Sequence, residues 1–269
     1  MIPPRPVYTA RMEPTEHTHV QRVIAILQAR QHLVFYAIIL TTLGGSVPLL
    51  SAWLVEQRPL AVLLSEAGTP LFDAVTAPNL WTIGLLVADL LVITWLRAGY
   101  IRSLAGRSSL APRNAGQFLR LLGLQVILTI IPTAGLGLVD LASPDTSARS
   151  ILAGAATMLL LIISVAVLYS DYVVVLADTG PLQALKVSAR IAMQALVPSV
   201  LIVFLLSPLS QYGALLPNES ISGSLARALP MLVLRNVVVG ALVFVADVVL
   251  LAIFLDTVER HAREAEGGD

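Results

Sequence analysis

Four stretches of this chain contain no charged side chain over about 20 residues, the length that an α-helix needs to cross a bilayer. They are Leu33–Val55, Leu121–Val139, Ile151–Ser170 and Ala195–Leu216. Two more, Leu80–Leu96 and Val237–Leu255, are each interrupted by a single aspartate. In lipid, backbone polar groups are satisfied by helices or closed barrels, and the sequence lacks the alternating segments of barrel strands. The pattern therefore predicts six membrane-spanning helices.

Composition agrees with lipid as the solvent. Of the 269 residues, 57% are hydrophobic and 13% are charged, whereas soluble domains have about 45–50% apolar and about 25% charged residues. The net charge is zero, which gives no reason to expect a nucleic-acid partner. Cysteine is absent, which excludes disulfides, thiolate metal sites and cysteine nucleophiles.

Basic residues are concentrated on one side of the predicted spans. Thirteen fall on the side of the two termini: Arg5, Arg11, Arg22, Arg30, Arg97, Arg102, Arg107, Arg113, Arg120, Lys186, Arg190, Arg260 and Arg263. Four fall on the other side: Arg58, Arg149, Arg227 and Arg235. Because basic loops stay in the cytoplasm, we expect a multi-pass protein of the plasma membrane with both termini cytoplasmic.

The expected architecture is an all-α transmembrane bundle of three helical hairpins with short cytoplasmic interfacial helices. A cytoplasmic tail with an amphipathic helix covers residues 1–32, the transmembrane domain covers 33–257, and a cytoplasmic tail covers 258–269. The expected spans are residues 33–55, 80–97, 118–140, 150–172, 195–216 and 235–256.

An internal repeat supports the three hairpins. Val87-Ala88-Asp89 recurs as Val245-Ala246-Asp247, and Val165-Ala166-Val167 lies between them at spacings of 78 and 80 residues. Arginines also precede prolines in the odd-numbered spans by 18 or 19 residues. The alternative is chance similarity among helices rich in alanine, valine and leucine.

Two interfacial helices have their own sequence support. In the first, Val20, Val23, Ile24 and Leu27 share one face, as in a helix that lies in the headgroup plane. The third begins at Thr179-Gly180-Pro181, where Thr179 can cap the helix and Pro181 suits its first turn.

The third interfacial helix also predicts lipid contacts. Leu182, Leu185 and Ala189 are expected to face the bilayer, and Lys186 and Arg190 to reach lipid phosphates. Arg113 and Arg120 are further candidates for headgroup contacts. The alternative is that such helices are structural collars.

Charged groups inside a membrane are costly and often functional. Asp89 and Asp247 are expected at similar depth, where two neighbouring carboxylates could share a proton and serve proton- or cation-coupled transport. The alternative is that each is protonated or bonded to a neighbouring helix.

Three more polar residues are candidates near the helix ends. Asp171 is flanked by Tyr169 and Tyr172, which we assign to the aromatic belt, and it is expected to pair with Arg97 or Arg190. Arg235 lies near the outer face, where Asp140 is its best partner.

Three of the predicted spans contain a proline, and the sequence has no catalytic motif. Pro48, Pro132 and Pro208 lie beside small residues within spans, where they predict kinks or a transporter site. No histidine falls within a predicted span, which excludes bis-histidine haem in the bundle core. No metal, cofactor or catalytic residue is predicted.

The stretch from Tyr172 to Arg190 resembles a segment of a broad group of prokaryotic six-helix membrane proteins. That group includes the membrane domain fused to some glycerophosphodiester phosphodiesterases. The likeness rests on the turn Asp178-Thr179-Gly180 and on a helix with Ala184, Leu185, Lys186, Ser188 and Arg190. The resemblance implies a fold and no activity.

Together these features favour a non-catalytic membrane scaffold, an accessory subunit or a lipid-organising protein. Its expected partners are membrane lipids and other membrane proteins, or a second copy of itself. The alternative is a small transporter that uses Asp89 and Asp247. A lipid-processing enzyme is the weaker third hypothesis.

Overall fold

The computed structural model describes residues 19–43, 80–107, 110–142, 146–211 and 225–266, and most of these residues are helical. In chain order the helices are α1 (His19–Arg30), α2 (residues 34–43), α3 (Leu80–Leu104), α4 (Ala115–Ala142), α5 (Thr146–Val167), α6 (Ser170–Ala177), α7 (Pro181–Gln194), α8 (Leu196–Gln211) and α9 (Leu225–Glu266). A 3-10 turn, Gln31–Leu33, joins α1 to α2. The described ranges contain no strand, so the prediction of an all-α protein is confirmed for them.

Within the described residues, three segments are long and apolar enough to cross a membrane: His19–Leu43, Gly154–Ala177 and Val233–Glu264. The bent pair Pro181–Gln194 and Leu196–Leu205 gives a fourth if it counts as one span. Large apolar side chains are exposed along these helices, which is costly in water and not in hydrocarbon. The six-span arrangement goes further than these segments and stays a prediction.

The predicted N-terminal interfacial helix is continuous with the start of the first span. An interfacial helix followed by a span requires a sharp corner between them. No such corner separates α1 from α2, which together form the apolar segment His19–Leu43. The apolar stripe of α1 is divided between two environments. Val23 and Leu27 pack against the core, whereas Val20 and Ile24 are exposed.

The last helix, α9, contacts both α1 and α2. Arg22 of α1 pairs with Asp256 and with Glu259, whose carboxylate oxygens lie 2.9 Å from Nη2 of Arg22. A Cβ atom added at Gly240 would lie 2.6 Å from Cα of Ile38 in α2, so the two backbones touch at this point. α9 continues to Glu266, so most of the predicted C-terminal tail is helical.

α3 ends in a tight turn at residues 105–107. Gly106 ends α3 with φ of +86°, its N–H donates to the Ser103 carbonyl at 3.1 Å, and the Arg107 N–H donates to the Arg102 carbonyl at 2.9 Å. This is the Schellman motif, in which glycine adopts the left-handed conformation at low cost. Residues 105–107 and 110–114 form turns and bends, where the repeat predicts the second interfacial helix.

The fourth predicted span is broken at residues 168–169, between α5 and α6. Ser188 of α7 closes the gap, because its hydroxyl accepts from the Tyr169 N–H at 3.0 Å and donates to the Ala166 carbonyl at 2.7 Å. α6 is buried on nearly all sides, and Tyr172 and the three valines after it form the centre of the hydrophobic core.

A helix lies where the third interfacial helix is predicted. α7 begins at Pro181, as expected, but its N-cap is Gly180, and the Thr179 hydroxyl instead donates to the Val173 carbonyl at 3.3 Å. α7 meets α8 at a bend of 103° at Ala195. A bend of this size is the geometry expected between a helix on the membrane surface and a span.

The predicted kinks fall largely outside the described residues. Pro48 and the side chains of Pro132 and Pro208 are not among them, although the backbones at 132 and 208 lie within α4 and α8.

Candidate functional site

The side chain of Arg97 joins two helices that are distant in sequence. Its guanidinium, on α3, donates to both carboxylate oxygens of Asp247 on α9, with Nη1 to Oδ2 at 2.7 Å and Nη2 to Oδ1 at 3.0 Å. The Asp247 side chain is only 5% exposed. A bidentate arginine–carboxylate pair is planar and directional, so it fixes the position of α3 on α9 as well as neutralising charge.

A second carboxylate completes the contacts of this arginine. Nε of Arg97 donates to Oδ2 of Asp171 on α6 at 3.2 Å. The other oxygen of Asp171 accepts from Nε2 of Gln125 on α4 at 3.0 Å. The polar network therefore joins α3, α4, α6 and α9, and we call Arg97, Gln125, Asp171, Tyr172 and Asp247 the arginine cluster.

Two tyrosine rings enclose the cluster. Tyr172 donates its hydroxyl to Oδ1 of Asp247 at 2.6 Å, and its ring centroid lies 6.0 Å from Cζ of Arg97. The ring of Tyr100 lies on another side, 5.6 Å from the same atom. Both rings are fully buried. Aromatic faces attract a guanidinium and exclude water, so they strengthen the ion pairs that they surround.

The predicted pair of Asp89 and Asp247 does not form. Both oxygens of Asp247 are occupied by Arg97 and Tyr172. Asp89 lies eight residues before Arg97 on α3, is partly exposed, and forms no hydrogen bond or ion pair with any residue that the structure describes. The shared tripeptide of the proposed repeat therefore has different surroundings in its two copies.

The expected partner of Asp171 is found, whereas the assignment of its tyrosines is wrong. Asp171 pairs with Arg97, one of the two partners predicted. Tyr169 and Tyr172 are fully buried in the bundle and do not form an aromatic belt. The Tyr169 hydroxyl is 2.9 Å from the hydroxyl of Ser199 on α8. Its hydrogen-bond partner is therefore a side chain of the protein and not a lipid headgroup.

The remaining candidates are dispersed. Lys186 and Arg190 lie on the exposed face of α7, and Arg113 is exposed before α4. Arg120 instead donates to the carboxylate and to the carbonyl of Asp178, both at 2.7 Å. Of the predicted pair Arg235 and Asp140, the Asp140 side chain lies outside the described residues, so that pairing stays a prediction.

The lipid-facing residues predicted on α7 separate in the structure. Leu182 is exposed, as expected, together with Met193, whereas Leu185 packs against the core. The exposed apolar side of α7 is therefore narrower than predicted, and it borders Lys186 and Arg190 directly.

Sequence reasoning treated Arg97 chiefly as a marker of topology and did not single out Gln125 or Tyr100. One signal was present for Gln125, which is an amide within an otherwise apolar, charge-free stretch. A strongly polar side chain in a predicted span usually has a partner on a neighbouring helix. For Tyr100 the sequence offered no comparable signal.

The charged groups of the arginine cluster are engaged with one another. Its carboxylates accept hydrogen bonds from groups that the protein itself provides. Among the described residues, no group of three or more histidine, cysteine, aspartate or glutamate side chains could hold a metal ion. The geometry is that of a polar clamp between helices.

Removal of one hydroxyl tests the clamp. Because Tyr172 donates to the buried Asp247 carboxylate, we expect Tyr172→Phe to lower the free energy of unfolding by about 1.5–3 kcal/mol. Tyr36→Phe is the matched control, since Tyr36 is half-buried and forms no hydrogen bond in the described part of the chain. Unfolding in detergent, followed by tryptophan fluorescence, compares the two variants. Equal stability of both would contradict the assigned role of Tyr172.

Residues of the segment from Asp178 to Ser188 make structural contacts in this fold. Asp178 ends α6 in the left-handed conformation, with φ of 55°, and pairs with Arg120. Ser188 bridges the break before α6, and Ala184 is fully buried on the inner side of α7. No protein-family model, curated protein or solved structure matches this chain.

Proposed function

We propose that this chain is a non-catalytic, multi-pass membrane protein that serves as a scaffold or accessory subunit. The observation that supports this role is the arginine cluster, in which one arginine, two aspartates and a glutamine satisfy each other across four helices. Strongly polar groups in a protein that transports or reacts must be accessible to a substrate. Here they hold helices together.

The energetics of burial support a structural role. A charge that loses its partner in a low-dielectric interior costs several kcal/mol, whereas a paired and hydrogen-bonded charge is tolerated. Arg97 and Asp247 lie 150 positions apart in the chain, on helices that are not consecutive. Their bidentate contact therefore selects one arrangement of α3 on α9, which is what a platform for other proteins requires.

The outer surface supports a role in packing within the membrane. Large apolar side chains project from α5, where Ile151, Met158 and Ile162 are each at least 66% exposed. Val197 and Leu205 of α8 are similarly exposed. Lipid chains or apolar faces of other membrane proteins are the partners that such surfaces accept.

The transporter hypothesis required Asp89 and Asp247 to act together. Asp247 is instead engaged by Arg97 and Tyr172, and Asp89 lies apart from it without a described partner. Asp89 alone is therefore the residue through which transport would have to operate, and it provides the discriminating variant.

Two neutralised variants in proteoliposomes separate the hypotheses. We expect Asp247→Asn to lower thermal stability, because it weakens the clamp, and Asp89→Asn to leave stability unchanged. With a pH-sensitive dye trapped inside the vesicles, wild-type protein should give no proton flux above protein-free vesicles. A flux that Asp89→Asn abolishes while the protein stays folded would favour transport and contradict the scaffold.

Gentle purification from native membranes should yield a stoichiometric complex or a self-associated form, and a partner-free monomer would also contradict the scaffold role.

A further inference from the structure

The turn between α3 and α4 brings together several arginines. Arg102 lies in the last turn of α3, Arg107 follows the Schellman glycine, and Arg113 precedes α4. The Arg30 side chain reaches the same turn, because a Cβ atom added at Gly106 would lie 3.2 Å from Nη2 of Arg30. We call Arg30, Arg102, Arg107 and Arg113 the basic turn.

The backbone of the turn is fixed against α3. A Cβ atom added at Gly99 would lie 2.1 Å from the Leu110 carbonyl oxygen, so the segment after the turn packs directly on this helix. Nη1 of Arg102 donates to the Ala111 carbonyl at 3.2 Å, and Nη2 of Arg107 donates to the Leu176 carbonyl at 3.3 Å. The guanidinium groups are thus held in place by rigid parts of the fold.

Three of the four arginines of the basic turn, Arg30, Arg102 and Arg113, have no carboxylate partner in the part of the chain that the structure describes. Burial, together with the positive charges of Arg107 and Arg113, lowers the pKa of the Arg102 guanidinium. In addition, Nε of Arg102 is buried without a hydrogen-bond partner among the described residues. An anion with several acceptor oxygens near the exposed part of the Arg102 guanidinium would stabilise its charged form.

The surroundings indicate the kind of anion. Leu110 and Leu119, on the segment that follows the turn, are exposed apolar side chains. A phosphate group attached to acyl chains matches the basic turn and the apolar surface beside it. The guanidinium group of arginine can bind two phosphate oxygens at once. The distribution of basic residues also predicts that this turn faces the cytoplasmic leaflet, where anionic lipids are found.

We infer that the basic turn is a phosphate-binding site, centred on Arg102 and Arg113, that takes the headgroup of an anionic phospholipid. This inference goes beyond the proposed scaffold role and does not depend on it. The arginine cluster and the basic turn use different side chains, so one can be disrupted while the other is intact.

Native mass spectrometry of the full chain in mild detergent tests the site with phosphatidylglycerol and phosphatidylcholine of identical acyl chains. We expect wild-type protein to retain phosphatidylglycerol at least about tenfold more tightly than phosphatidylcholine, the effect of one or more charge-assisted hydrogen bonds. Arg102→Gln and Arg113→Gln should each remove most of this preference. Arg263→Gln, which changes an exposed arginine in the last turn of α9, is the matched control and should preserve it.

Two outcomes would overturn the inference: an unchanged preference in both turn variants, or an equal loss in Arg263→Gln, which would mean diffuse attraction by net charge. Arg113 is exposed, so its substitution tests binding without threatening the fold. A parallel arm measures thermal stability in sodium phosphate and in sodium chloride of equal ionic strength. Stabilisation by phosphate alone that Arg102→Gln removes would support the phosphate site and assign its ligand to solution rather than to lipid.

Discussion

Arg97→Met is expected to lower the free energy of unfolding by about 3–5 kcal/mol, the largest effect of any single substitution proposed for this protein. The substitution keeps an unbranched apolar side chain and removes the guanidinium with its charge. Asp247 would then be buried without a cation, and Asp171 would lose its only described ion pair. Unfolding in mild detergent, monitored by tryptophan fluorescence, to which Trp95 on α3 contributes, measures the change.

Two further variants identify the origin of this loss. Arg97→Lys keeps the charge and loses the planar fork, so we expect an intermediate stability. The double variant Arg97→Met, Asp247→Met removes both members of the main pair and should recover part of the loss, because no uncompensated charge remains between α3 and α9. Arg190→Gln, on the exposed face of α7, should be neutral. If Arg97→Met matched Arg190→Gln in stability, the cluster would not be a clamp.

Gly240→Ala is expected to produce the second large effect, a destabilisation of about 1–3 kcal/mol. The added methyl group would lie 2.6 Å from Cα of Ile38, and a backbone atom cannot rotate away as a side chain can. α2 must therefore shift relative to α9. In membranes, helices associate closely where small residues let their backbones approach.

Gly154→Ala is the matched control for this substitution. Gly154 also lies within an apolar helix, α5, and a Cβ atom added there would have no atom within 4 Å. Alanine has the higher helix propensity, by about 1 kcal/mol, so this variant should be as stable as wild type or more so. Thermal unfolding in detergent compares the stability of the two variants directly. Equal behaviour of Gly240→Ala and Gly154→Ala would mean that α2 and α9 do not touch at this position.

Local sequence properties predicted the helical class and the apolar segments. Hydrophobicity over about 20 residues and the exclusion of unpaired backbone groups from lipid are properties of each segment by itself, independent of its neighbours. The same holds for the turn at residues 178–180 and for Pro181 at the start of α7, because proline fixes its own backbone angle. These predictions needed no tertiary contact.

The break in the fourth predicted span could not be predicted in this way. The apolar stretch runs without interruption through residues 168–169, and no proline or glycine ends the helix there. The break is stabilised by Ser188, which lies on another helix and satisfies the Tyr169 N–H and the Ala166 carbonyl. A backbone group that leaves its helical partner needs a substitute, and tertiary structure supplied it.

The sequence by itself determined that this chain is built from apolar helices with a few isolated charges in them. Only the tertiary structure decided which charges meet. Asp171 and Asp247 are 74 and 150 residues from Arg97, and Asp89, on the same helix as Arg97, is left outside the cluster. Pairing energy falls steeply with distance and rises as water is excluded, and both depend on how helices pack together. Neither the distance between two charges nor their burial can be read from the positions of the residues along the chain.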